Sequence, residues 1–128
     1  MTHPIEIILT RQLAEYLSVP LLLVDSKGNL LFYNEPAESI LGQRFEDTGG
    51  MPVEQWSKSF AAVDEEGQAI APDDLPLMVT LSTHMPAHRR LHIVDGDASR
   101  AMEVTAIPIA GLHGDFLGAA AMFWGLPQ

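Results

Sequence analysis

The chain predicts an α+β fold, a five-stranded antiparallel sheet with helices crossing one face and an N-terminal helix on or near the other. Three observations carry that prediction. Residues 21–42 read as strand, tight turn, strand and helix in direct succession. Three apolar segments follow near residues 88–94, 102–109 and 116–124, separated by Gly96-Asp97 and His113-Gly114, the turn chemistry of antiparallel hairpins. Finally, Leu21-Leu22-Leu23-Val24, Leu30-Leu31-Phe32-Tyr33 and residues 116–124 do not alternate apolar with polar. A sheet with one face in water alternates, so these strands need cover on both faces.

The totals agree with one domain. At 128 residues, 47% of them apolar, the chain is long enough for a single core. Residues 1–17 form an amphipathic capping or dimerisation helix and residues 18–128 the core domain. There is no cysteine, which excludes disulfides, thiolate metal sites and thiol catalysis. The net charge of −10 disfavours nucleic acid and anionic membrane surfaces as partners, since His88-Arg89-Arg90 is the one local basic excess. The start at Met1 carries no basic, apolar leader, so the expected location is cytoplasmic, as a free-standing domain or the input part of a longer protein.

In chain order, residues 4–17 read as a helix. Pro4 suits a first helical position, and Ile5, Ile8, Leu9, Leu13, Tyr16 and Leu17 recur at three- and four-residue steps. Pro20 ends it. The first strand stops at Asp25, which holds a turn through Lys27-Gly28-Asn29. The second strand leads to Asn34, a good N-cap, with Pro36 in the first turn and Gly42 as the residue that closes the helix. Residues 44–52 look irregular, 53–60 form a short helix, and Asp64-Glu65-Glu66-Gly67 is a turn. Asp73 or Asp74 caps a helix carrying Leu77, Met78 and Leu81 inward, ended by residues 83–86. Three strands complete the chain.

The motifs Asp25-x-x-Gly28-x-Leu30, Tyr33-Asn34-x-x-Ala37 and Ile40-Leu41-Gly42 resemble the opening of a PAS domain, the small sensor fold of kinases, cyclases and phosphatase regulators. Residues 73–86 resemble that family's long helix and exit turn, and residues 103–124 its last two strands. The resemblance spans the chain after Leu17 and implies the strand order 2-1-5-4-3. It also implies a ligand pocket between the inner sheet face and the helices. Positions matching its lining are Leu22, Leu31, Tyr33, Ala37, Ile40, Leu41, Trp56, Phe60, Leu77, Leu81, Leu91 and Ile93, with Tyr33 and Trp56 as polar handles. Arg89 shares strand parity with Leu91 and Ile93 and can reach the pocket mouth to meet an anionic ligand. The same residues equally describe a filled core.

If Leu22, Val24, Leu31 and Tyr33 point inward, then Leu21, Leu23, Leu30 and Phe32 point outward. Left bare they form an apolar patch of a few hundred Å², more than most monomers expose. The N-terminal helix is the expected cover, meeting the small residues Gly118 to Ala121 and, with its counterpart, building a homodimer. The interface residues expected are Ile5, Ile8, Leu9, Leu13, Leu21, Leu23, Phe32, Ala119 and Ala121. A monomer with the helix folded back on its own sheet is the alternative.

No catalytic constellation is found. The serines lack a Gly-x-Ser-x-Gly setting, and the glycines form no phosphate-binding loop. Pro86 breaks helical continuity between His84 and His88, while His88 and His92 stand about 13 Å apart along a strand, too far to share a metal. The resemblance implies one candidate haem ligand, His84 at the tail of the long helix; solvated turn and strand histidines are the favoured reading, and neither haem nor flavin is expected as cofactor. Asp64-Glu65-Glu66 and Asp73-Asp74 read as turn and capping residues. The expected function is a non-catalytic regulatory sensor module. It works through homodimerisation and a downstream signalling protein or output domain, with or without a small apolar ligand in its core. A ligand-free protein–protein interaction module is the first alternative. A small proton-abstracting enzyme of the α+β-cone type, which needs a carboxylate facing Tyr33, is the second.

Overall fold

The computed structural model describes residues 4–56, 62–95 and 98–125. Helix α1 (Ile5–Tyr16) leads into strands β1 (Leu21–Asp25) and β2 (Leu30–Tyr33), then the short helices α2 (Glu35–Leu41), α3 (Phe45–Thr48) and α4 (Val53–Trp56). Strand β3 (Ala62–Val63), a 3₁₀ turn at Pro72–Asp74, helix α5 (Pro76–Thr83) and strands β4 (Ala87–Asp95), β5 (Ala98–Ala110) and β6 (Phe116–Gly125) complete the described elements. The sheet is antiparallel in the order β2-β1-β6-β5-β4-β3. Its five longer strands stand as expected. The sixth, β3, is two residues long, too short to leave a pattern in the sequence.

The opening hairpin is fixed by local chemistry. The Asp25 carboxylate accepts from the Lys27 and Asn29 amides, and Gly28 takes a φ of 88°, which suits glycine. Asn34 caps α2 by accepting from the Ala37 amide, and Gly42 closes it in the left-handed region. Two helix boundaries differ from expectation. Helix α5 starts at Pro76 with Leu75 as its N-cap, because Asp73 and Asp74 are used in the preceding 3₁₀ turn. Residues 45–48, expected to be irregular, form α3. Of the helix expected over 53–60, residues 57–60 lie outside the described residues, as does the turn at Gly96-Asp97.

Two apolar layers flank the sheet. The inner one joins Leu22, Val24, Leu30, Tyr33, Leu91, Ile93, Val104, Ala119, Ala121 and Phe123 to residues of α2, α4 and α5. The outer one gathers Leu21, Leu23, Phe32, Ile109 and Ala120 beneath Ile7 and Ala14 of α1. Leu23 is fully buried and Phe32 nearly so. The inference from non-alternating strands therefore holds, and α1 supplies the second cover.

The face assignment fails at four positions. Leu30 points inward and Leu31 outward, the reverse of expectation, because the β1–β2 register shifts between Leu23 and Val24 and leaves Leu31 as the extra, bulged residue. Ala119 and Ala121, assigned to the outer interface, face the inner core, and Ala120 is the residue beneath α1.

Candidate functional site

Two places could carry function: the inner cavity and the outer surface of α1. The cavity lies between the sheet and helices α4 and α5, lined by Leu22, Trp56, Ala62, Leu75, Pro76, Leu77, Leu91, Ile93, Val104, Ala121 and Phe123. Its volume is about 20 Å³. That is space for roughly one water, and the wholly apolar wall gives a water nothing to bond.

Of the expected lining residues, Leu22, Trp56, Leu77, Leu91 and Ile93 do meet at this cavity. Tyr33, Ala37, Ile40 and Leu41 lie in the same inner layer, packed into it away from the void. Leu81 packs at its margin, Arg89 is half-buried on β4 away from the lining, and Phe60 lies outside the described residues. Leu31 is on the opposite face, in a groove beside Ile8 and Arg11 of α1. Both polar handles are already engaged. The Tyr33 hydroxyl meets the Gln43 carbonyl at 3.1 Å and the Thr48 hydroxyl at 2.8 Å. The Trp56 indole donates to the Gly28 carbonyl at 2.7 Å. These bonds fasten the α2–α3 connection and the β1–β2 turn, so the two residues brace the fold. No carboxylate lines the cavity.

Among the described residues the histidines do not gather. His84 takes the left-handed conformation that ends α5, and its ring stacks on Phe116 at 3.9 Å, away from the cavity. His88 contacts the Thr105 hydroxyl on the outer face, where Arg90 pairs with Glu103 at 3.1 Å. Among the described residues no three acidic or histidine side chains are placed to hold a metal.

Helix α1 differs from expectation in an informative way. It meets the sheet through Ile7 and the small Ala14, with Leu17 partly buried. The stripe singled out by its spacing faces solvent instead: Ile5 is 65% exposed, Leu13 59% and Tyr16 86%, with Ile8 and Leu9 also exposed. The helix thus has two apolar sides, and the bulkier one is turned outward. Arg11 flanks it, its guanidinium 4.7 Å from the Phe32 ring and 5.6 Å from the Phe45 ring, while Phe32 and Phe45 meet edge to face. Spacing alone does not separate the docking side of such a helix from its free side; the presence of Ala14 among larger residues was the available signal.

Comparison with known proteins supports the topology. A family model described as PAS fold matches residues 14–126. No curated protein matches the sequence. Among solved structures, the chain is similar to the PAS domain of BvgS from Bordetella pertussis, with 13% identity, TM-score 0.72, and 98% of this chain and 89% of that one covered. It is similar also to the PAS domain of nitrogen regulation protein NR(II) from Vibrio parahaemolyticus, with 18% identity, TM-score 0.60, and coverage of 92% and 98%. A Rhodobacter sphaeroides LOV protein aligns at 16% identity with TM-score 0.68, over 98% of this chain and 70% of that one. Among the described residues no helix is long and apolar enough to cross a membrane.

Proposed function

Because the chain belongs to the PAS fold family, matched over residues 14–126, we propose that it is a cytoplasmic regulatory sensor module, without catalysis of its own, that works through a homodimer built on α1. The observation that carries this is the outward stripe of Ile5, Leu9, Leu13 and Tyr16. Side chains of this size left in water form the kind of contiguous apolar patch that marks an interaction surface. A two-fold axis beside α1 sets each stripe against its twin, the simplest closed arrangement. A downstream signalling protein or output domain then reads the relative position of the two helices. Nucleic acid and membrane are not among the partners proposed, given a net charge of −10.

The test is mass in solution. Leu9→Glu combined with Leu13→Glu places two carboxylates on the stripe without touching either core layer. The wild-type protein is expected to run at twice the chain mass and the double variant at the chain mass, both with the same circular dichroism spectrum. A wild-type monomer at every concentration sinks the reading.

The cavity of about 20 Å³ favours signal entry by surface contact over a resident small molecule, and no haem or flavin is proposed. Ligand pockets usually measure several hundred Å³. Native mass spectrometry of protein purified from its own host is expected to show the mass of two chains with nothing added. A co-purifying small molecule would establish instead that the inner layer opens to admit a ligand.

A further inference from the structure

We propose that the Asn34 carboxamide is the latch that holds α1 on the sheet and couples it to α2. This deepens the reading of α1 as the output surface and rests on it.

Asn34 follows β2 directly and is only 2% exposed. Its side-chain oxygen accepts from the Leu21 amide at 3.0 Å and the Ala37 amide at 3.2 Å. Its nitrogen donates to the Ala14 carbonyl at 3.0 Å and the Val19 carbonyl at 2.9 Å. A carboxamide has two donor hydrogens and two acceptor lone pairs, so its capacity is fully used. Two amide donors on one side and two carbonyl acceptors on the other permit one orientation of the group. The four partners belong to four segments: the last turn of α1, the connection after it, the start of β1 and the first turn of α2. One side chain therefore ties an outer-face helix to an inner-face helix around the end of the sheet.

Helix α1 depends on such a tie. Ile7 and Ala14 are its only fully buried residues, and its N-cap, Pro4, makes no side-chain capping bond. At twelve residues it is of a length that is marginal in isolation. Its helicity thus follows its docking, and one Asn34 donor holds the Ala14 carbonyl in its last turn while the other holds the Val19 carbonyl in the connection just beyond it. On the other side, α2 buries Ala37, Ile40 and Leu41 in the inner layer. Displacement of α2 draws the Asn34 oxygen with the Ala37 amide and withdraws the donors from α1. Latched and released α1 form the two-state element that a signal can bias.

Asn34→Asp tests the latch. Aspartate caps a helix as well as asparagine does, so the bonds to Ala37 and Leu21 are retained, while both donors are lost and an oxygen faces two carbonyls. Amide hydrogen exchange is read by segment, in samples diluted until the mass is that of one chain. Residues 5–16 are expected to exchange roughly tenfold faster or more in the variant, with β1, β5 and β6 protected as in wild type. Unchanged exchange in α1 overturns the proposal. Asn34→Ser, which keeps a capping oxygen and places no carboxylate against Ala14 and Val19, is read the same way. If both variants lose sheet protection together with α1, Asn34 holds the whole core and the proposal is likewise overturned. A protein that never dimerises would sink the output reading while leaving this exchange ratio readable.

Discussion

Trp56→Ala is expected to destabilise the domain by about 3–5 kcal/mol, the usual range for removing a large aromatic from a core. Trp56 is 1% exposed and among the largest fully buried side chains. It does two things at once. Its ring walls the inner cavity against Leu22, Leu77 and Phe123, and its indole donates to the Gly28 carbonyl, pinning α4 to the β1–β2 turn. Trp56→Phe separates these roles. The phenyl ring keeps most of the packing and leaves the Gly28 carbonyl without that donor, at an expected cost of about 1–3 kcal/mol. Urea denaturation with a shared slope measures both variants. Because total stability for a domain of this kind is about 5–15 kcal/mol, the alanine variant is expected to melt with a shallow or absent native baseline. Added indole is expected to restore part of the loss, as apolar molecules do on entering dry engineered cavities. An alanine variant within 1 kcal/mol of wild type would show that Trp56 is no part of a tightly packed wall, and the argument from a filled core would go with it.

That filled core was only half legible in the sequence. The inner and outer layers were readable because Leu21-Leu22-Leu23-Val24 has no polar residue to put in water, and all four are buried. The side on which each residue lies was readable on β1, where alternation runs undisturbed. On β2 it was not. The bulge at Leu31 shifts register by one residue, and a one-residue shift exchanges faces, so Leu30 and Leu31 swapped roles. Nothing in four consecutive large apolar residues marks where such a bulge falls. On β6 the run Gly118-Ala119-Ala120-Ala121 is uniformly small, so size carried no parity information.

Polar residues were legible only for their local bonds. Asp25 and Asn34 were identified from turn and capping chemistry within a few residues, and both make those bonds. The other half of Asn34, its donation to Ala14 and Val19, spans 20 and 15 residues and depends on how α1 docks. Likewise Tyr33 and Trp56 looked like ligand handles because their partners, Gln43, Thr48 and Gly28, are not deducible from spacing. Long-range polar satisfaction is a property of the packed chain, and it turns candidate site residues into braces.

Gly118→Val is expected to be the most damaging change on the outer face. Gly118 lies on β6 opposite Asp25 of β1. A β-carbon there would fall well inside contact distance of the Val24 carbonyl oxygen, and would stand 3.3 Å from both Asp25 Cα and the Ile7 side chain of α1. The Ile7 methyl can turn aside, but the β1 backbone cannot move without breaking the ladder that joins β1 to β6. Valine adds two further methyl groups to a site that refuses one. Overpacking of this kind costs about 1–3 kcal/mol where the backbone can relax, and the main-chain contact places this variant at or above the top of that range. At roughly 4 °C per kcal/mol for a domain of this length, the thermal midpoint is expected to fall by about 12 °C or more. Gly118→Ala separates the two contacts, because its single methyl meets the Val24 oxygen while leaving Ile7 room to turn. If the cost arises at the β1 backbone, alanine carries most of it. If it arises under α1, alanine is mild and valine alone raises exchange in residues 5–16. Midpoints unchanged in both variants would mean that β1 and β6 do not approach as closely as the close seating of α1 on the sheet requires.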